Sequence, residues 1–241
     1  MSLFKSIGIV FRSIKYSETS LILDIFTREK GMRSFIVSGV RSSKSKNKAS
    51  LYQHLNILDL VAYDKDNKLA RIKECKIEHY YQRLTFDVVR SSIGLFLLEV
   101  CKNAIKEKEE NIELFDFIYN RLTLLDSDTP LNFGLFPIKF LLELSQYIGF
   151  LPYNNQDSNN TYFDLYNGRF IPEMTEQKYV SSKEVSTNIA IITKTEMTQL
   201  NSLSIPKSLR NQIIDDLIIY YRLHIDQFKE LKTLQVLRTI F

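Results

Sequence analysis

The sequence predicts an α+β protein in two parts: a small N-terminal β-barrel of the OB type, then an all-α helical domain carrying a small β-hairpin. Three observations lead there. Five short β-rich runs between turn signals fill roughly the first 80 residues, with no long helix among them. After Arg83 the apolar period changes from two to about 3.6. The charge changes sign at the same place. Up to Arg83 there are 16 Lys and Arg against 8 Asp and Glu, a net +8. The whole chain has 32 basic and 28 acidic residues, so the remainder holds 16 and 20, a net −4. A basic first part and a mildly acidic remainder point to one domain that meets a polyanion and one that does not. The expected boundary lies near residues 79–85, giving domains 1–80 and 81–241.

Residues 7–14 read as a first strand and 19–26 as a second. Thr27 to Gly31 is a five-residue hairpin connection, with glycine where a positive φ is needed. Residues 32–40 return as the third strand, 55–63 form the fourth, and 69–77 the fifth after a polar turn at 64–68. A small barrel of the SH3 kind, or a structural cap, shares this pattern. The OB-fold is the commonest such barrel that binds nucleic acid.

Between the third and fourth runs stand Arg41, Lys44, Lys46 and Lys48, spaced by Ser and Asn with no carboxylate. Such a run buries too little apolar surface to fix a fold and reads as a solvated loop. Its free cations also make it a nucleic-acid patch or a targeting signal. Arg12, Lys15, Arg33 and Arg71 widen the basic surface. Small barrels hold single strands by cations along the backbone and rings that stack on bases. Phe11, Phe26 and Phe35 lie in apolar runs and read as core, whereas Tyr16 and Tyr52 read as exposed, with Tyr16 the candidate stacking ring.

Three stretches then occur in a telling order: Tyr16-Ser17-Glu18-Thr19-Ser20 after a strand, Thr27-Arg28-Glu29-Lys30-Gly31, and Gly39-Val40-Arg41-Ser42-Ser43-Lys44-Ser45. Together they resemble the RecO family of bacterial DNA repair and recombination mediators, in which a Y-x-E-x-S turn, T-x-E-x-G and a G-x-R-x-x-K-S loop follow one another. The resemblance implies an OB-fold, binding of single- and double-stranded DNA, and annealing of complementary strands. It also implies loading of recombinase onto strands coated by single-strand-binding protein, with RecR and the C-terminal tail of that coating protein as partners. A cytoplasmic, nucleoid-associated setting goes with it.

In the second part, Val88, Val89, Ile93, Phe96, Leu97, Val100 and Cys101 fall at helical spacing. Residues 113–125 form a second amphipathic run, and 126–130 break it. Further helices are expected over 132–148 and 208–228, and residues 230–238 close the chain. The family resemblance continues through residues 140–144 and 149–152, and again at Tyr220, His224, Leu231, Lys232 and Thr233. Many family members carry four cysteines after that middle stretch, holding a structural zinc. Here residues 153–172 contain neither Cys nor His, so no zinc and no other cofactor is expected. A hairpin of 161–165 and 169–171 about Asn167-Gly168, a type I′ signal, stands in its place. Tyr162, Phe163, Tyr166 and Phe170 are expected to supply burial instead of the metal. His224 reads as a packed side chain.

No run of about 18 apolar residues occurs, so no membrane span is expected. The N-terminus has no export-signal core. Cys75 and Cys101 are far apart and make no disulfide framework, which fits a reduced, cytoplasmic setting. No phosphate-cradling, dinucleotide, zinc-protease or hydrolase motif is present. The pairs Glu109-Glu110 and Asp215-Asp216 read as solvated charge on helices. The expectation is therefore a non-catalytic DNA-binding protein. The alternative is a metal-dependent nuclease on a basic OB-type barrel, which needs carboxylates that converge in space. A module that binds only protein is a third reading.

Overall fold

A computed structural model of the chain describes residues 2–40, 49–64, 69–105, 108–173 and 179–240. Its first strand, β1 (Ser2–Lys15), serves two neighbours. Its first half pairs antiparallel with β4 (Ile57–Asp64), and its second half with β2 (Leu21–Thr27). The register slips between Val10 and Arg12, leaving Phe11 as an extra residue. Such a bulge bends the strand, which lets one strand turn a barrel corner. β2 pairs with β3 (Gly31–Val37), and β3 pairs in parallel with β5 (Ala70–His79), which returns antiparallel along β4. The order β1-β2-β3-β5-β4 closes into a barrel with OB-fold topology.

The barrel is filled by Val10, Leu23, Ile25, Phe35, Leu58 and Leu60, all fully buried. Tyr52 joins them at 0% exposure, which corrects the expectation that its ring is exposed. The reason is local. Residues Ala49–Tyr52 form a 3-10 turn, and the Asn56 side chain donates to the carbonyls of Ser50 (3.1 Å) and Leu51 (2.9 Å). That clamp turns the phenol ring inward, where removing its apolar area from water is favourable.

Six helices are described: α1 (Val88–Ala104), α2 (Ile112–Asp126), α3 (Phe136–Tyr147), α4 (Lys183–Lys194), α5 (Lys207–His224) and α6 (Thr233–Ile240). The chain divides into two compact units, 1–86 with 105–126 and 87–104 with 127–241. Thus α2, read from its period as part of a helical domain, packs with the barrel.

Within the first unit the Thr27–Gly31 hairpin holds that helix. Thr27 Oγ1 donates to the Gly31 carbonyl at 2.7 Å, and the Phe26 and Phe115 ring centroids lie 5.8 Å apart. Gly31 has φ +61°, and a Cβ there would stand 2.1 Å from the Glu109 carbonyl oxygen, so only glycine lets this segment approach. At the far end of α2, the buried Asp126 carboxylate accepts from the N–H groups of Gln82 (3.0 Å), Arg83 (2.8 Å) and Leu84 (2.7 Å). It thereby fixes the chain as it leaves β5. Burial pushes this carboxyl up, but the three N–H groups and His79 outweigh burial and hold it below its usual value.

In the second unit, α1 buries Ile93, Phe96, Leu97, Val100 and Cys101, as its period predicts. α3 starts at Phe136 rather than 132. Asn132 first forms a turn, accepting from the Leu135 N–H at 3.2 Å, and Pro137 opens the helix. α4 corresponds to no element in the sequence reading. Its β-branched residues are poor helix formers by themselves, but Val185, Ile189 and Ile192 share one buried face, and Ser182 caps the N-terminus. α6 is capped from another helix: the Glu99 carboxylate accepts from the Thr233 N–H (2.9 Å) and Oγ1 (2.6 Å).

The hairpin, β6 (Tyr162–Asp164) and β7 (Arg169–Ile171), is where the sequence expects it, but its turn differs. Asp164 pairs with Arg169, so four residues connect the strands, and the Gly168 N–H donates to the Asp164 carbonyl at 2.9 Å. Gly168 has φ +64° whereas Asn167 has no positive φ, which rules out the type I′ turn. The Asp164 carboxylate decides the outcome by accepting from the N–H of Tyr166 (2.9 Å) and Asn167 (3.2 Å). Phe163 and Phe170 are buried with centroids 5.1 Å apart, as expected of rings in place of a metal. Tyr166 is 65% exposed, which corrects its assignment to that cluster. Its place is taken by Phe150, Tyr220 and His224: His224 stacks on Phe150 and donates from Nδ1 to the Tyr220 carbonyl at 2.9 Å.

Candidate nucleic-acid interface

The strand register decides which cations meet. Lys15 pairs with Leu21, and Leu21 with Val37. Ile36 pairs with Arg71, Arg71 with Tyr63, and Tyr63 with Leu3. These pairings set the end of β1, the start of β2, the end of β3 and the start of β5 side by side. The β1–β2 turn at 16–20, the β4–β5 connection and the start of the β3–β4 connection all open there. In OB-folds the oligonucleotide sites are built from the β1–β2 and β4–β5 loops and the face of strands 2 and 3.

At this rim the β1–β2 turn is closed by the Tyr16 N–H donating to the Ser20 carbonyl at 3.0 Å. That bond leaves the Tyr16 ring projecting from the end of a paired strand, 62% exposed. Lys15 and Arg71 are exposed beside it, and neither forms an ion pair among the described residues. Arg41, Lys44, Lys46 and Lys48 lie outside the described residues; the chain enters and leaves that stretch at Val40 and Ala49.

Two of the singled-out cations sit elsewhere. Arg12 is three positions down β1 from the rim, opposite Asp24, and its Nη1 stands 3.3 Å from an Asp24 oxygen. Ser34 donates to the other oxygen at 2.7 Å, so this carboxylate is held from both sides and offsets the Arg12 charge. Arg33 lies toward the opposite end, next to the β2–β3 hairpin. Its Nη1 donates to the carbonyls of Met32 (3.1 Å) and Lys108 (2.6 Å). The structure therefore gathers Lys15, Tyr16 and Arg71, keeps Arg12 nearby, and sets Arg33 apart.

The outer face of β1, β4 and β5 carries cations that the sequence reading did not single out. Lys5 and Lys76 both reach Asp59, at 3.6 and 3.3 Å. One carboxylate between two ammonium groups leaves a surplus positive charge. Alternation along β5 is the signal that finds this face, because Arg71, Lys73 and Lys76 are exposed while Ile72, Cys75 and Ile77 turn toward the core. Burial, with Asp59 nearby, pushes the Cys75 thiol up to about 12, so it is a packed side chain and not a nucleophile. Among the described residues no helix is long and apolar enough to cross a membrane.

Comparison with known proteins agrees along the whole chain. The family profile described as "Recombination protein O N terminal" matches residues 1–81, and "Recombination protein O C terminal" matches residues 85–234. A protein of Phocaeicola vulgatus named DNA repair protein RecO is 32% identical over 238 residues, covering 98% of each chain. A protein of Flavobacterium psychrophilum with the same name is 34% identical over 245 residues, again covering 98% of each. One of Bacteroides fragilis is 31% identical over 240 residues.

Proposed function

The chain belongs to the recombination protein O family of DNA repair proteins, and from that membership we propose that it acts as a non-catalytic recombination mediator. It binds single- and double-stranded DNA and anneals complementary strands. It helps load recombinase onto single strands coated by single-strand-binding protein, with RecR and the tail of the coating protein as partners.

The observation that carries this reading is the strand register of the barrel. It sets Lys15 and Arg71 on either side of the end of β3, from which the chain leads into the 41–48 segment with its four cations. Cations there meet phosphates and Tyr16 stacks on a base. Arg12 lies within reach of a strand running down the β1–β2–β3 face, while Arg33 serves as a wider basic contact. Non-catalytic action is supported by the barrel carboxylates, since Asp24 and Asp59 are each committed to basic partners instead of converging on one another.

No zinc belongs to the reading either. The 153–172 segment has no thiol or imidazole, its polar side chains being amides, hydroxyls, carboxylates and the Arg169 guanidinium, and the residues present do not make the family's thiolate site. Asn155 is already engaged, its Nδ2 donating to the Phe170 carbonyl (3.0 Å) and its Oδ1 accepting from the Phe170 N–H (2.8 Å).

The test is a salt titration of binding to a labelled oligonucleotide. Each phosphate contact on a single strand contributes a log–log slope of about 0.7. Replacing Arg41, Lys44, Lys46 and Lys48 together by Ala should lower the slope by up to about 3, for every sequence alike. A folded variant with an unchanged slope would overturn the assignment. Incubation of complementary strands with Mg²⁺ should give annealed product and no cleavage.

A further inference from the structure

Two tyrosines of the second unit stand out into solvent, Tyr153 at 71% exposure and Tyr166 at 65%. Both sit on backbone that is already held. The Tyr153 N–H donates to the Gly168 carbonyl at 2.7 Å, and the Tyr166 N–H to Asp164 Oδ1 at 2.9 Å. Gly168 between them is pressed against α5, where a Cβ would meet the Tyr220 hydroxyl at 2.8 Å. Beneath this surface Phe163 and Phe170 are buried. The same short segment thus hides two rings and presents two others.

Arg169 lies directly opposite Tyr153 in a parallel bridge, is exposed, and forms no ion pair among the described residues. Of the nearby carboxylates, two are held by hydrogen bonds and Glu173 is exposed. Asp164 is buried against N–H groups of its own turn, and Asp157 accepts from the N–H groups of Asn159 (2.8 Å) and Asn160 (2.7 Å). Exposed rings on pre-ordered backbone lose little freedom on binding, and ring faces with a guanidinium suit a base and its phosphate.

We propose that Tyr153, Tyr166 and Arg169 form an accessory contact for single-stranded nucleic acid, separate from the barrel rim. The proposal rests on the DNA-binding reading above and adds a second site to it. A duplex hides its base faces, so this contact favours single strands.

The experiment measures binding of the full chain to fluorescent oligo-dT and to a duplex of equal length, over a range of salt. The variants are Tyr153→Ala, Tyr166→Ala, the corresponding Phe substitutions and Arg169→Ala, with circular dichroism confirming the fold. Each Tyr→Ala change should weaken oligo-dT binding about tenfold, the worth of one stacked base, with the salt slope unchanged. The Phe variants keep the ring face and should bind as the parent does. Arg169→Ala should lower the slope by about 0.7. Duplex affinity should not move. Ala variants that bind like the parent, Phe variants as weak as Ala, or an equal loss on duplex would each overturn the proposal. If the parent itself shows no salt-dependent binding, the DNA-binding reading falls and this contact with it. If the 41–48 variant lowers the slope while the tyrosine variants change nothing, this contact alone falls.

Discussion

Arg28 and Asp116, 88 residues apart in the chain, meet in two parallel hydrogen bonds: Nε to Oδ1 at 2.7 Å and Nη2 to Oδ2 at 2.8 Å. The pair joins the β2–β3 hairpin to α2, and it gives the Thr-x-Glu-x-Gly stretch a structural task. The hydrogen bond from Arg28 holds the Asp116 carboxyl below its ordinary value. A depressed carboxylate stabilises the fold above its unfolded pKa and loses that contribution as pH falls through the folded one. A double-mutant cycle of Arg28→Ala and Asp116→Ala should therefore show coupling at pH 7 that fades as the pH drops below about 3.9. Equal coupling at both ends of that range would contradict the ion-pair account.

Asp126 does at the other end of α2 what Arg28 does at its start. Asp126→Ala leaves the N–H groups of Gln82, Arg83 and Leu84 without their acceptor, and Leu84 is buried. The expected loss is about 3 kcal/mol, read from urea denaturation of the full chain. A loss below about 1 kcal/mol would mean that water replaces the carboxylate there.

Tyr52 separates core from interface. Tyr52→Ala should cost about 3–5 kcal/mol in stability, as large aromatic truncations do, and leave the oligonucleotide affinity of the folded fraction unchanged. Tyr16→Ala should do the reverse, with stability within about 0.5 kcal/mol of the parent and weaker single-strand binding. Weakened binding by the Tyr52 variant at full stability would return that ring to the surface.

The hairpin of the second unit should be indifferent to chelators. EDTA should leave the melting temperature unchanged, and elemental analysis should find no stoichiometric zinc. Asn155→Ala removes both bonds to the Phe170 backbone and should cost about 1–3 kcal/mol. One equivalent of zinc, with melting lowered by EDTA, would sink this prediction.

Much of the fold was legible in the chain because it rests on local periodicity. Alternation marks the five barrel strands, and helical spacing marks α1, α2 and α5. The stretch 183–194 was not legible, since β-branched residues disguise a helix that exists because Val185, Ile189 and Ile192 find partners on other helices. The 41–48 cations were visible as residues, and Lys15, Tyr16 and Arg71 as candidates. That Lys15, Tyr16 and Arg71 lie close together was not visible, because it depends on the β3–β5 parallel pairing across more than 30 intervening residues.

The sequence by itself determined the barrel-then-helices order, the charge asymmetry, the family motifs and the lack of thiolate or imidazole ligands between residues 153 and 172. These follow from residue type and spacing alone. The tertiary structure decided which rings are buried and which charges are shared. It put Tyr52 in the core and Tyr166 outside, tied Arg12 to Asp24 and Arg33 to a carbonyl at Lys108, and assigned α2 to the barrel. A ring or a guanidinium has the same intrinsic preference in either place. Its surroundings come from distant segments, and only the folded chain brings those segments together.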